Sequence, residues 1–171
     1  NAFAAAFATL VGDWRAEAPG APVLMCGMIG SRQGWVEASY AALPAGSAAF
    51  AATLARVPGV DGDVRIVPGA SGSGLAGAPD VMRGEETQIV GALAPSAQRM
   101  LAVLPGTHSK WAIVDDGQLR SFATFMTGEV FAVLCEHSIL GRTMADESSA
   151  ADRREGFRRG VSHALEKHRA E

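Results

Sequence analysis

Two cysteines, a single tyrosine and an aromatic content of 6% are the first shortages of this 171-residue chain. Cys26 and Cys135 stand far apart in apolar settings, so no disulfide framework and no zinc site built on thiolates is expected. Both read as reduced core residues, and no metal ligands are assigned. No apolar run approaches the roughly 18 residues of a bilayer span, and no basic-then-apolar stretch reads as a signal peptide. Positive charge is also scarce. A net charge of -3 leaves no electrostatic footprint for nucleic acid or an anionic membrane. The expectation is a soluble, cytoplasmic protein with small-molecule partners.

What is present is apolar: 48% hydrophobic residues, enough for one domain or two small ones with a real core. Phe3, Phe7, Leu10, Val11 and Trp14 form one helical stripe, closed by Ala18-Pro19-Gly20. Val23–Cys26 is a short apolar run that suits a strand buried on both faces. Ser47–Val57 reads as an Ala-rich helix, and Val64–Val67 as a strand. Gly72–Gly77 is formally G-x-G-x-x-G, but Ala78-Pro79-Asp80 follows where a dinucleotide fold must open a helix. A flexible loop is the expected form. Asn1 opens directly in a helical pattern and Glu171 ends in one, so a piece of a longer chain is expected.

Chemistry concentrates in three patches. In Leu101–Trp111, an apolar run meets Pro105-Gly106, then Thr107, His108, Ser109 and Lys110 crowd a turn before the apolar pattern resumes. Such a hairpin corner offers backbone donors, hydroxyls and a cation to an anion. In Gly27–Trp35, three glycines precede and interleave Ser31, Arg32, Gln33 and Trp35. These residues supply a hydroxyl, a carboxylate fork, an amide and a stacking face; the alternative is a glycine-rich connection with a surface arginine and a half-buried tryptophan. In Met82–Leu93, Glu85 and Glu86 fall in the first turn of a helix facing inward through Ile89, Val90 and Leu93. They serve either as helix-start carboxylates favoured by the dipole or as a base for a substrate hydroxyl. Arg83 beside them holds a carboxylate ionised or binds an acidic substrate.

After Ala94-Pro95 the order is strand Met100–Leu104, strand Trp111–Val114, the turn Asp115-Asp116-Gly117, strand Leu119–Phe125 and a helix from Thr127-Gly128-Glu129. That is how a ribonuclease-H-like unit starts. His137 in this helix reads as a cap or packing residue. Arg142–Glu155 is expected to be an irregular linker, and Phe157, Val161, Leu165 and His168 mark a last amphipathic helix with a solvated charged face.

With these residues assembled, the chain resembles the 2-keto-3-deoxygalactonate kinases of the sugar-kinase and actin-like ATPase superfamily. The matching segments are GMIGSRQGWVEASY (27–40), VPGVDGDVRIVPG (57–69), PDVMRGEETQIVGAL (79–93), LPGTHSKWAIVDDGQL (104–119) and FATFMTGEVFAVLCEHSILG (122–141). The resemblance implies an α/β fold of ribonuclease-H-like lobes, with mixed sheets flanked by helices and incomplete at both ends. Residues 1–97 would be the remainder of a sugar-acid-binding lobe and 98–171 the start of a nucleotide-binding lobe. It further implies ATP and Mg²⁺ as cofactors and a 2-keto-3-deoxy sugar acid as acceptor. Glu85 then sits at the catalytic carboxylate, with Glu86 the alternative. Gly30, Ser31, Arg32, Gln33, Trp35 and Arg83 fall at the substrate, and Gly106, Thr107, His108, Ser109 and Lys110 at the nucleotide phosphates. The family's opening Asp-x-Gly-Thr-Thr hairpin does not occur in this sequence. The implied content is therefore the substrate half-site, the base and one phosphate loop; the rival expectation is a truncated domain that binds a sugar acid without transferring phosphate. A half-exposed sheet would favour pairing as a homodimer.

Overall fold

The computed structural model describes residues 2–92, 99–144 and 149–169. They fall into two compact units, Asn1–Glu129 and Val130–Glu171. In chain order the elements are α1 (Ala2–Glu17), β1 (Val23–Met25), a 3-10 turn (Gly27–Gly30), β2 (Tyr40–Ala42), β3 (Ala45–Gly46) and α2 (Ser47–Ala52). Next come β4 (Ala55–Arg56), β5 (Val64–Ile66), β6 (Gly69–Ser73), β7 (Pro79–Met82) and α3 (Glu85–Ala92). The meander β8 (Arg99–Leu104), β9 (Ser109–Asp115) and β10 (Gln118–Phe125) leads into α4 (Thr127–His137), and α5 (Ala150–Arg169) closes the described chain. This is an α/β fold with mixed sheets and flanking helices.

Three sheets organise the larger unit. In the first, β1 runs parallel to β5, with β4 antiparallel on the far side. In the second, β6 is central, parallel to β2 and antiparallel to β7. The third is antiparallel, in the order β3-β10-β9-β8. Two apolar clusters fill the unit. One gathers Phe7, Ala38, Val57, Val64 and Ile66 beneath α1. The other joins Ala70 and Met82 of the second sheet to Ile89 of α3 and to Ala112, Val114, Leu119 and Phe122 of the third. The expected lobe boundary at 97/98 lies outside the described residues, and the strands on its two sides share this second core.

Several expectations change. The Ala-rich helix stops at Ala52, because Thr53 Oγ1 caps the Ala49 carbonyl at 3.1 Å and Ala55-Arg56 is drawn into pairing with β5. Tertiary pairing overrides alanine's propensity there. Most of the Gly72–Gly77 run is not a loose loop: Gly72 and Ser73 end β6, paired with Asp80 and Pro79 of β7, and Leu75–Gly77 form a 3-10 turn. The Leu43 side chain occupies the space over Gly72, 3.1 Å from where a Cβ would lie. β1 is an edge strand rather than one buried on both faces, with Leu24 60% exposed. For the same reason Cys26, just past its end, is exposed, and Cys135 is half-buried; both are free thiols but neither is a core residue.

In the smaller unit, α5 begins inside the segment expected to be irregular. Ser149 and Asp152 form a reciprocal cap: Asp152 N donates to Ser149 Oγ at 3.1 Å and Ser149 N to Asp152 Oδ2 at 3.2 Å. The Ser149 hydroxyl, donating to Asp152 Oδ2 at 2.6 Å, and then the Ser149 N–H hold the Asp152 carboxyl below its usual range. Phe157, Val161 and Leu165 are all exposed, His137 is exposed beside Glu136, and the His168 side chain lies outside those described.

Candidate active site

Two corners of the larger unit collect the candidate residues. At the first, the chain leaves β1 into the 3-10 turn and folds back on itself. Trp35 N donates to Ile29 O at 2.8 Å and Ala38 N to Gly30 O at 2.9 Å. The Ser31 hydroxyl accepts the Gln33 amide at 3.3 Å, leaving the Arg32 and Gln33 side chains exposed. Trp35 offers no free stacking face toward solvent on its α1 side. Its ring lies 6.5 Å from Phe3 in a stacked arrangement and 5.4 Å from Phe7, so it serves the core beneath α1.

Arg83 reaches this turn from the end of β7. Its Nη2 donates to Ala38 O at 2.9 Å and its guanidinium lies 4.3 Å over the Tyr40 ring. Nη1 sits 3.0 Å from where a Cβ at Gly30 would be, a close approach that only glycine permits. Nε and Nη1 are buried and have no hydrogen-bond partner. A buried cation without a carboxylate partner leaves a positive field at the corner. Gly84, at φ +109°, turns the backbone against Gly27, its Cβ position only 3.1 Å from Gly27 Cα.

The two glutamates differ in environment. Half-buried Glu85 accepts the Arg83 backbone N–H at 3.0 Å through Oε2. Glu86 is fully buried. It accepts the Gly84 N–H at 2.6 Å and the Thr87 hydroxyl at 3.0 Å, and borders a 210 Å³ apolar cavity lined by Phe50, Leu54, Val67 and Val90. Burial pushes its carboxyl above the usual range, against backbone hydrogen bonds that pull the other way.

The second corner is the β8–β9 hairpin. Gly106, Thr107 and His108 are exposed at its tip. The start of α4 grips it: Glu129 N donates to Thr107 O at 3.0 Å, and His108 Nε2 lies 2.5 Å from Glu129 Oε2. The buried Ser109 hydroxyl bonds the Thr127 hydroxyl, and the Gly106 N–H reaches Ser109 Oγ at 3.4 Å. A Cβ on Gly128 would lie 2.6 Å from the Gly106 carbonyl oxygen. Lys110 stands apart from the tip. Its ammonium is buried and donates to Val81 O and Thr124 Oγ1, each at 2.7 Å, with Asp80 Oδ1 at 3.9 Å.

The structure thus brings Gly30, Arg83 and Glu85 together, and separately gathers Gly106–Ser109 onto α4. Residues that the sequence did not mark as part of a site hold both: Ala38, Tyr40, Asp80, Thr124, and Thr127 and Glu129 of the helix start. Among the described residues no three His, Cys or carboxylate side chains cluster as a metal site, and no described helix is long and apolar enough to cross a membrane.

This fold is shared with the crystal structure of a "putative 2-dehydro-3-deoxygalactonokinase protein from Sinorhizobium meliloti". The TM-score is 0.73 at 42% identity, covering 85% of this chain and 51% of that one. In sequence, the profile of the 2-keto-3-deoxy-galactonokinase family matches residues 1–171. The chain belongs to that family. It is 44% identical over 146 residues to a Rhizobium meliloti protein named "Probable 2-dehydro-3-deoxygalactonokinase DgoK1", covering 85% of this chain and 47% of that protein. It is 40% identical over 164 residues to the Escherichia coli 2-dehydro-3-deoxygalactonokinase, covering 95% and 52%. The chain therefore spans about half the length of the curated relatives it matches.

Proposed function

We propose that this chain carries the acceptor side and one phosphate loop of a carbohydrate kinase that phosphorylates 2-dehydro-3-deoxy-D-galactonate with ATP, in galactonate catabolism. The observation that carries this reading is the Arg83 guanidinium, whose buried Nε and Nη1 have no hydrogen-bond partner, beside the half-buried Glu85. Its charge favours an acidic acceptor. Arg83 is sealed under Gly30 and acts through that charge, whereas exposed Arg32 is free to fork onto the substrate carboxylate.

In the reaction, a sugar-acid hydroxyl oxygen bonds to the γ-phosphorus of ATP, the bond from that phosphorus to the ADP oxygen breaks, and the hydroxyl proton passes to Glu85. Glu85 is the base in this reading because a substrate can reach it. Glu86 has both oxygens occupied and faces an apolar cavity, so it holds the turn. At the other corner Gly106, Thr107 and His108 receive the phosphates, and Ser109 keeps the tip in shape. Mg²⁺, carried in on the nucleotide's phosphates, would supply charge neutralisation there. The meander β8–β9–β10 followed by α4 fits the start of a second ribonuclease-H-like lobe after residue 97, with residues 1–97 belonging to the first.

The test is ADP release by the full-length protein. Release is expected only with 2-dehydro-3-deoxy-D-galactonate present and not with the same sugar reduced to lack its carboxylate. ADP release that ignores the carboxylate would overturn the reading.

A further inference from the structure

The strand that leads into Arg83 and the hairpin that presents Thr107 belong to different sheets, and one buried ammonium is bonded between them. Lys110 directly follows Ser109 on β9. It pairs across the sheet with Thr124 of β10, and Nζ donates to Thr124 Oγ1 and to the Val81 carbonyl of β7, each at 2.7 Å. Asp80 completes the bridge from β7. Its Oδ2 accepts the Thr124 N–H at 3.0 Å and its Oδ1 accepts the Thr124 hydroxyl at 2.7 Å. The Phe122 ring lies 5.6 Å below the ammonium. Lys110 is 5% exposed, so its charge is desolvated against one carboxylate at 3.9 Å and two neutral acceptors. An apolar side chain fills such a place at lower cost, and a buried ion with directional partners fixes register instead.

We infer that Lys110, with Asp80 and Thr124, is a positioning device that locks the distance between the acceptor corner and the phosphate hairpin, and is not itself a phosphate ligand. Val81 lies two residues before Arg83, and Lys110 one residue after Ser109. A shift at this joint moves Glu85 relative to the hairpin tip while leaving each corner's own bonds intact. This inference rests on the kinase reading for its kinetic consequence, but its structural content stands apart from it.

The experiment uses the full-length protein and the variants Lys110→Met and Thr124→Val. Misalignment without loss of either binding corner predicts a kcat lower by about tenfold or more, with both KM values within about threefold of wild type. Backbone amide exchange should quicken together at Val81 and Thr124, whose N–H groups both donate to Asp80, while Arg83, Gly84 and Gly106 keep their protection. A raised KM for ATP with kcat preserved would make Lys110 a phosphate ligand and overturn the inference. So would a lowered melting temperature with kcat at 25 °C unchanged. Thr124→Val keeps the Lys110–Val81 bond, and serves if Lys110→Met does not fold. Should the wild type show no sugar-acid-dependent turnover, the kinase reading fails while the exchange pattern still decides the joint: concerted quickening upholds it, and unchanged exchange sinks it.

Discussion

At the Gly27–Ala38 turn a buried guanidinium does the holding; at the Pro105–Ser109 turn the first residues of α4 do. The first turn holds three glycines and the second only Gly106, but at both corners a missing Cβ, at Gly30 and at Gly128, lets another segment come close. Yet Arg83 reaches its turn from 45 residues away in sequence and binds it by Nη2 to Ala38 O, whereas the hairpin is gripped by residues just beyond its own meander. The first corner has a fixed cation at its heart and one half-open carboxylate. The second presents an exposed tip and a helix start, with its one lysine withdrawn into the sheet. On the proposed reading, the corner that chooses an acidic acceptor is built on buried charge, and the corner that takes the nucleotide's phosphates is built on backbone and hydroxyls.

The largest expected effect separates the two directly. Glu85→Gln in the full-length protein should lower kcat by about 10²- to 10⁴-fold, the usual worth of a general base, with sugar-acid affinity unchanged by calorimetry. The amide oxygen still accepts the Arg83 N–H, so equal loss of binding would assign Glu85 to structure instead. Gly128→Ala tests the other corner. Its methyl must displace the Gly106 carbonyl, 2.6 Å away, so stability should fall by about 1–3 kcal/mol as in an overpacked site. Chemical denaturation reads that loss, and the KM for ATP should rise while that for the sugar acid holds. Arg32→Lys should raise the sugar-acid KM by about three- to tenfold with little change in kcat, because it removes a bidentate contact made in ground and transition states alike. Unchanged affinity would remove Arg32 from the site.

The smallest effect concerns Glu86. Its folded-state carboxyl titrates above the ordinary value because of burial, so the folded state binds the proton more tightly than the unfolded one. That contribution is present at pH below the ordinary glutamate range and is lost as pH rises through the raised value. Glu86→Gln keeps an acceptor for Gly84 N without the charge. The variant should melt higher than wild type at neutral pH, the gap closing toward acid. A gap that widened toward acid would contradict the assignment.

What the sequence revealed follows the range of each interaction. The hairpin and its neighbours were legible because Pro105-Gly106, Asp116-Gly117 and Thr127-Gly128 are local turn and helix-start signals, and β8, β9, β10 and α4 appear where those signals put them. The acceptor corner was legible as a set of residues but not as a geometry. Nothing local says that Trp35 packs on Phe3 and Phe7, or that Arg83 is capped by Gly30. Lys110 shows the limit most sharply: proximity to a turn suggested a cation for an anion, and only the distant Asp80 and Val81 reveal where its charge is satisfied. The strand through Gly72 was hidden likewise, since that residue is held by antiparallel pairing with Asp80 of β7. Ser149-x-x-Asp152, by contrast, was a readable helix start inside a stretch taken for linker.

The sealed joint has a practical corollary for labelling. The sequence contains two lysines, Lys110 and Lys167; Lys167 is exposed on α5 and Lys110 is enclosed. Amine-directed dyes, biotin esters and crosslinkers will therefore modify Lys167 and pass over Lys110, so immobilising this stretch of the protein through its amines leaves the contact between the sheets chemically untouched.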